Sequence, residues 1–97
     1  MLRQVQQMQD KMSKVQAELE RETVQASAGG GAVTVVATGT QKIVSVRIDP
    51  EAAGDVEMLE DLVVAAVSQA QQRAAELYQA EVKKLASGLP FPFQLPL

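Results

Sequence analysis

The residues of this chain that could do chemistry are its carboxylates, its hydroxyls and one run of glycine. Asp49, Glu51, Asp55, Glu57, Glu60 and Asp61 crowd one segment, with no base between Arg47 and Arg73. Such a cluster can hold a hard cation through oxygen. It can equally mark a helix start, where the positive end of the dipole favours acids. The sequence contains no His and no Cys, so a metal site would lack nitrogen and thiolate ligands. The acids also spread around a helix, and Asp55 suits its N-cap. Gly29-Gly30-Gly31 could in principle cradle a phosphate. That use needs GxxxxGK[ST] or GxGxxG spacing opening onto a helix, and this run opens onto a strand pattern. Ser13, Ser27, Ser45, Ser68 and Ser87 have no His or Cys to work with, leaving only Ser with Lys or paired carboxylates as catalytic options. Aromatic content of 3% provides no stacking platform for bases. The expectation is a protein that is not an enzyme and carries no metal or cofactor, with a binding or architectural role.

The elements that must position these residues are organised around residues 32–50, AVTVVATGTQKIVSVRIDP. Val33, Val35 and Ala37 alternate with Thr34, Val36 and Thr38, and Val44, Val46 and Ile48 alternate with Ser45 and Arg47. Period two with β-branched residues reads as half-buried strands. Thr38-Gly39-Thr40-Gln41 is the turn between them, with Gly39 expected at positive φ. Residues 23–28 add a period-two strand before the triple glycine, which makes a three-stranded antiparallel meander of strands 23–28, 32–38 and 42–48. Asp49-Pro50 ends the sheet.

Before the meander, Leu2, Val5, Met8, Met12, Val15 and Leu19 form one narrow helical stripe over residues 2–22. A stripe this narrow resembles a coiled-coil seam. It fits either a helix packed on its own domain or one reaching a partner subunit. Asp10 with Lys14, and Glu18 with Arg21, have the spacing of weak helical ion pairs. After the meander, residues 55–86 read as one long helix, apolar over a broad arc in its first half. At 1.5 Å per residue it would be about 45 Å long, whereas a compact domain of about 100 residues has a radius of gyration near 13 Å. Its far half must project or meet another chain. Residues 87–97, rich in proline, cannot form regular structure. They are apolar and uncharged, and are expected to dock on the protein's own surface or on a partner's.

The whole chain of 97 residues thus reads as one α+β domain, 1–97, of order α-β-β-β-α. Its apolar residues are mostly Ala and Val, which bury little area each at about 25 cal/mol per Å². Oligomerisation is the usual remedy for a core so small. A homodimer is expected, with Val44, Val46, Leu59, Leu62, Val63 and Ala66 at its shared interface. No apolar run approaches the roughly 20 residues of a membrane helix, and the first residues lack a signal peptide's apolar stretch. A cytoplasmic protein is expected.

Three stretches carry a resemblance: QVQQMQDKMSKVQAELE, GGGAVTVVATGTQKIVSVRIDP and VEMLEDLVVAAVSQAQQRAAEL. Together they resemble the YbaB/EbfC family of bacterial nucleoid-associated proteins across nearly the whole chain. The resemblance implies a cytoplasmic, nucleoid-associated homodimer with protruding helical arms. It implies binding of double-stranded DNA with little sequence preference, touching nucleoid organisation, gene expression or DNA protection. The matching basic positions of the arms are Arg3, Lys11, Lys14, Arg21, Arg73, Lys83 and Lys84. Many relatives carry a Gly- and Lys-containing segment ahead of the first helix, and here the helix begins almost at once. The formal net charge of −3 supports an alternative, a dimeric module engaging a recombination or repair protein.

Overall fold

The alternation of the central residues and the helical stripes on either side become a three-stranded sheet between two helices. The computed structural model describes residues 2–87. In chain order these are α1 (Leu2–Arg21), β1 (Thr23–Ala28), β2 (Val33–Thr38), β3 (Ile43–Ile48), a 3₁₀ turn (Pro50–Gly54) and α2 (Val56–Ser87). α2 includes Ser87, the residue expected to open the proline-rich end; residues 88–97 lie outside the described residues, and with them the expectation that they dock. The sheet is an antiparallel meander of order β1-β2-β3. Gly29, Gly30 and Gly31 all adopt positive φ, at 67°, 67° and 97°. The run is therefore a turn that only glycine makes cheaply.

The second turn differs from the sequence expectation. Gly39 is not at positive φ; Gln41 is, at 69°. The Thr38 hydroxyl oxygen accepts from the Thr40 N–H at 3.3 Å and the Lys42 N–H at 3.2 Å, holding the turn from inside. Gly39 serves a different purpose, a close approach to α1 described below.

α2 lies over β1 and β2 and leaves β3 largely uncovered. Ala26, Val33, Val35, Ala37, Ala66 and Ala70 form the core, each at most 1% exposed, with Leu59, Leu62, Val63 and Val67 packed around them. Ala66, Ala70 and Ala74, at successive spacings of four, put one alanine row on the buried face. Small residues on both layers let helix and sheet approach closely, and they explain why the core is thin.

Asp49 and Asp55 are caps. Asp49 Oδ1 accepts from the Glu51 N–H at 3.0 Å, and Asp55 Oδ1 from the Met58 N–H at 3.1 Å. The acidic cluster thus marks the entry into α2, where two orphan donors find acceptors. Among the described residues no three acids converge as a metal site would require, and no helix is long and apolar enough to cross a membrane. The whole is elongated, with extents of 61 × 24 × 15 Å and a radius of gyration of 17.8 Å. That exceeds the roughly 13 Å of a compact domain of this length.

Candidate nucleic-acid interface

The elongation comes from the two helices. At the C-terminal end of α1 the Gly39 N–H donates to the Leu19 carbonyl at 2.8 Å and the Glu22 carbonyl at 3.0 Å. Leu19 itself is fully buried. Gln16, Gly39, Thr40, Gln41, Ala75, Tyr78 and Gln79 line an open cavity of about 460 Å³ where α1, the β2–β3 turn and α2 converge. From this junction α1 runs back to Leu2 over about 21 Å, and α2 runs on to Ser87 for about 12 Å beyond Gln79. Every residue from 2 to 11 is exposed. These two helical segments are the arms.

Five of the seven basic arm positions make no ion pair or side-chain hydrogen bond among the described residues. Arg3, Lys11, Lys14, Arg21 and Lys83 are exposed. The helical pairs expected for α1 do not form: neither Asp10 with Lys14 nor Glu18 with Arg21 makes an ion pair among the described residues. On a solvated helix such a pair contributes only a few tenths of a kcal/mol, too little to hold two long side chains in one geometry. Lys84 Nζ lies 3.6 Å from Glu81 Oε1, with the lysine side chain 75% exposed. At 100° per residue Arg3, Lys14 and Arg21 fall within about 20° of one another around α1. They form one line along the side opposite the apolar stripe, and Lys11 stands off it. Arg73 is placed differently. Its Nη1 donates to the Gln25 carbonyl on β1.

The sequence-predicted interface residues divide into two groups. Val46 and Ile48 pair with Val35 and Val33, so they share the sheet face that α2 covers elsewhere. They nevertheless remain 43% and 39% exposed, because α2 lies mainly over β1 and β2. Leu59, Leu62 and Val63 are half-buried and pack against the protomer's own core, Leu62 beside Gly29 of the β1–β2 turn. Ala66 has no exposed surface and belongs to the protomer's own core. Val44 is the extra residue of a bulge, since Val36 faces Ser45 while Ala37 faces Ile43. It is 57% exposed. Ile48 continues the apolar side of β3, and Met58, in the first turn of α2, is 45% exposed. Ile48 was visible in the β3 alternation; Met58 carried no signal that distinguished it from the rest of the α2 arc.

The chain is a small α+β protein of order helix–sheet–helix with exposed basic residues on its two helices. The sequence profile of the YbaB/EbfC DNA-binding family matches residues 1–89, and the chain belongs to that family. It is 52% identical over 91 residues to a nucleoid-associated protein of Acetivibrio thermocellus, covering 92% of this chain and 80% of that one. It is 50% identical over 94 residues to a nucleoid-associated protein of Clostridium novyi, covering 95% and 82%. In fold it is similar to the crystal structure of an uncharacterized protein, HP0035, from Helicobacter pylori. The TM-score is 0.79 at 18% identity, covering 84% of this chain and 88% of that one.

Proposed function

We propose that this chain binds double-stranded DNA with little sequence preference, as a homodimer whose helical arms contact phosphates. One observation carries the reading. Arg3, Lys14 and Arg21 form an exposed line on α1 that has no carboxylate partner among the described residues, on an arm that extends beyond the sheet. Cations spaced along a rod suit a backbone that carries charge at regular intervals. Lys11, Lys83 and Lys84 add to it. The described residues include no aromatic platform and no helix-turn-helix for base readout. Relatives named as nucleoid-associated proteins support the same destination, the nucleoid.

The dimer rests on β3. Its apolar residues Val44, Val46 and Ile48 are exposed, while Leu59, Leu62 and Val63 of α2 are only half-buried against the core. A second copy placed there would cover this strip and double the number of basic arms. The deciding experiment is a mobility-shift titration with unrelated duplexes at low and physiological salt. Comparable affinities that fall together as salt rises are expected. Duplexes left unshifted at low salt would pass the arms to a protein partner, the recombination or repair reading.

A further inference from the structure

The two edges of the sheet are treated differently, and Arg73 is the reason. The Thr38 N–H donates across to Lys42 on the β3 side at 2.8 Å, so Thr38 turns its backbone groups towards β3. In an antiparallel ladder the groups of alternate residues then face the same way. Thr38 faces Thr23, and Val36 faces Gln25. Thr23, Gln25 and Ser27 therefore direct their N–H and C=O groups outward, away from β2. This row is an unpaired edge, the kind that accepts a strand from another molecule. Arg73 comes from α2, crosses that edge, and donates from Nη1 to the Gln25 carbonyl in its middle. Among the described residues no side chain donates to the backbone of β3 in the same way.

We propose that Arg73 closes the β1 edge to strand addition, so that β1 of a second copy cannot pair there and assembly stops at the surface on β3. The occupant excluded is β1 of another copy, which would pair antiparallel with its own counterpart. Its edge is polar and self-complementary, with Thr23, Gln25 and Ser27 exposed. A pairing of this kind between copies already joined through β3 would have no natural end. The guanidinium takes the central acceptor while its stem occupies the space of the incoming strand. Arg73 is thereby set apart from the basic residues of the arms. The inference rests on the dimer reading only for the size at which assembly stops.

The test is sedimentation of Arg73→Ala and Arg73→Met over a range of concentration. Arg73→Met keeps an apolar stem over β1, which guards against loss of folding, and helix content is followed by circular dichroism. Both variants are expected to self-associate, with weight-average mass at least roughly doubled relative to wild type at high concentration. Adding Gln25→Pro should restore wild-type size, because the Gln25 N–H faces outward and proline is tolerated on a strand edge. Variants that keep wild-type size overturn the proposal, as does association that Gln25→Pro fails to cure. Wild-type size with a DNA salt slope flattened by about 0.9 would return Arg73 to the phosphate contacts. A wild type that sediments as a monomer removes the dimer reading alone; variants forming new dimers would still uphold the role of Arg73.

Discussion

Leu19 and Gly39 meet without room for a side chain between them. The Gly39 N–H donates to the Leu19 carbonyl at 2.8 Å, and a Cβ at Gly39 would lie 2.7 Å from Leu19 Cδ2 and 2.9 Å from Leu19 O. This contact ties α1 to the sheet, and so sets the direction in which the arm leaves the body. Gly39→Ala should push α1 away from the turn, at a cost of about 1–3 kcal/mol typical of overpacking. Denaturant unfolding would register the loss, and amide exchange should rise in the last turns of α1. Gly30→Ala provides the contrast. Its Cβ would meet nothing within 4 Å, so only the positive φ penalises it, by about 1 kcal/mol.

The cap of α2 can be tested separately. Asp55 Oδ1 accepts from the Met58 N–H at 3.1 Å. Asp55→Ala should cost about 0.5–2 kcal/mol of stability, and Asp55→Asn much less, since Asn caps nearly as well. Thermal unfolding of the two variants checks this. Equal losses would show that the negative charge at the helix start, rather than the hydrogen bond, supplies the stabilisation.

The order of elements was legible because each announces itself locally. Val33, Val35 and Ala37 alternate, Asp55 precedes the long apolar arc, and three glycines interrupt two strand patterns. What escaped was set by partners distant in sequence. Gly39 looks like a positive-φ residue until Leu19, twenty positions earlier, is brought against it. The bulge at Val44 leaves the alternation of β3 intact on paper, because period two cannot show which residue the neighbouring strand skips. Arg73 reads as one more arm charge until α2 is laid beside Gln25. Nor does any strand's composition say that α2 will cover β1 and β2 and stop short of β3. The basic line of α1 was present in the spacing of Arg3, Lys14 and Arg21, but Asp10 and Glu18 at helical spacing promised ion pairs that do not form among the described residues.

The uncovered strip on β3 gives a stability prediction as well as an assembly one. Val46→Asp alters a side chain 43% exposed in the protomer, so helix content should survive while the sedimenting mass falls to that of one chain. Leu62→Lys should do more damage. The Leu62 methyls lie 2.8 and 2.9 Å from where a Cβ at Gly29 would stand, so a lysine there would leave a charge against the β1–β2 turn. That costs several kcal/mol when unpaired. A Val46→Asp protein that keeps the wild-type mass would place the interface elsewhere.

The DNA reading makes its sharpest prediction through salt. Each phosphate neutralised contributes about −0.9 to the slope of log K against log salt. With roughly four to six phosphates met by a dimer, affinity should fall by a few orders of magnitude between about 50 and 200 mM salt. Arg3→Glu with Lys14→Glu removes two members of the α1 line and should weaken binding to all duplexes alike while flattening the slope. Lys11→Glu with Lys14→Glu should do so less, since Lys11 stands off that line. Lys83→Glu with Lys84→Glu probes the second arm, where the Glu81 carboxylate 3.6 Å from Lys84 already offsets part of the charge. A smaller loss is expected there than from Arg3 and Lys14. Lys42→Glu, on the β2–β3 turn, should matter least. Fluorescence-anisotropy titrations on two unrelated duplexes at several salt concentrations measure all four variants. A change in which duplex is preferred, with the slope intact, would mean that the arms read bases and not phosphates.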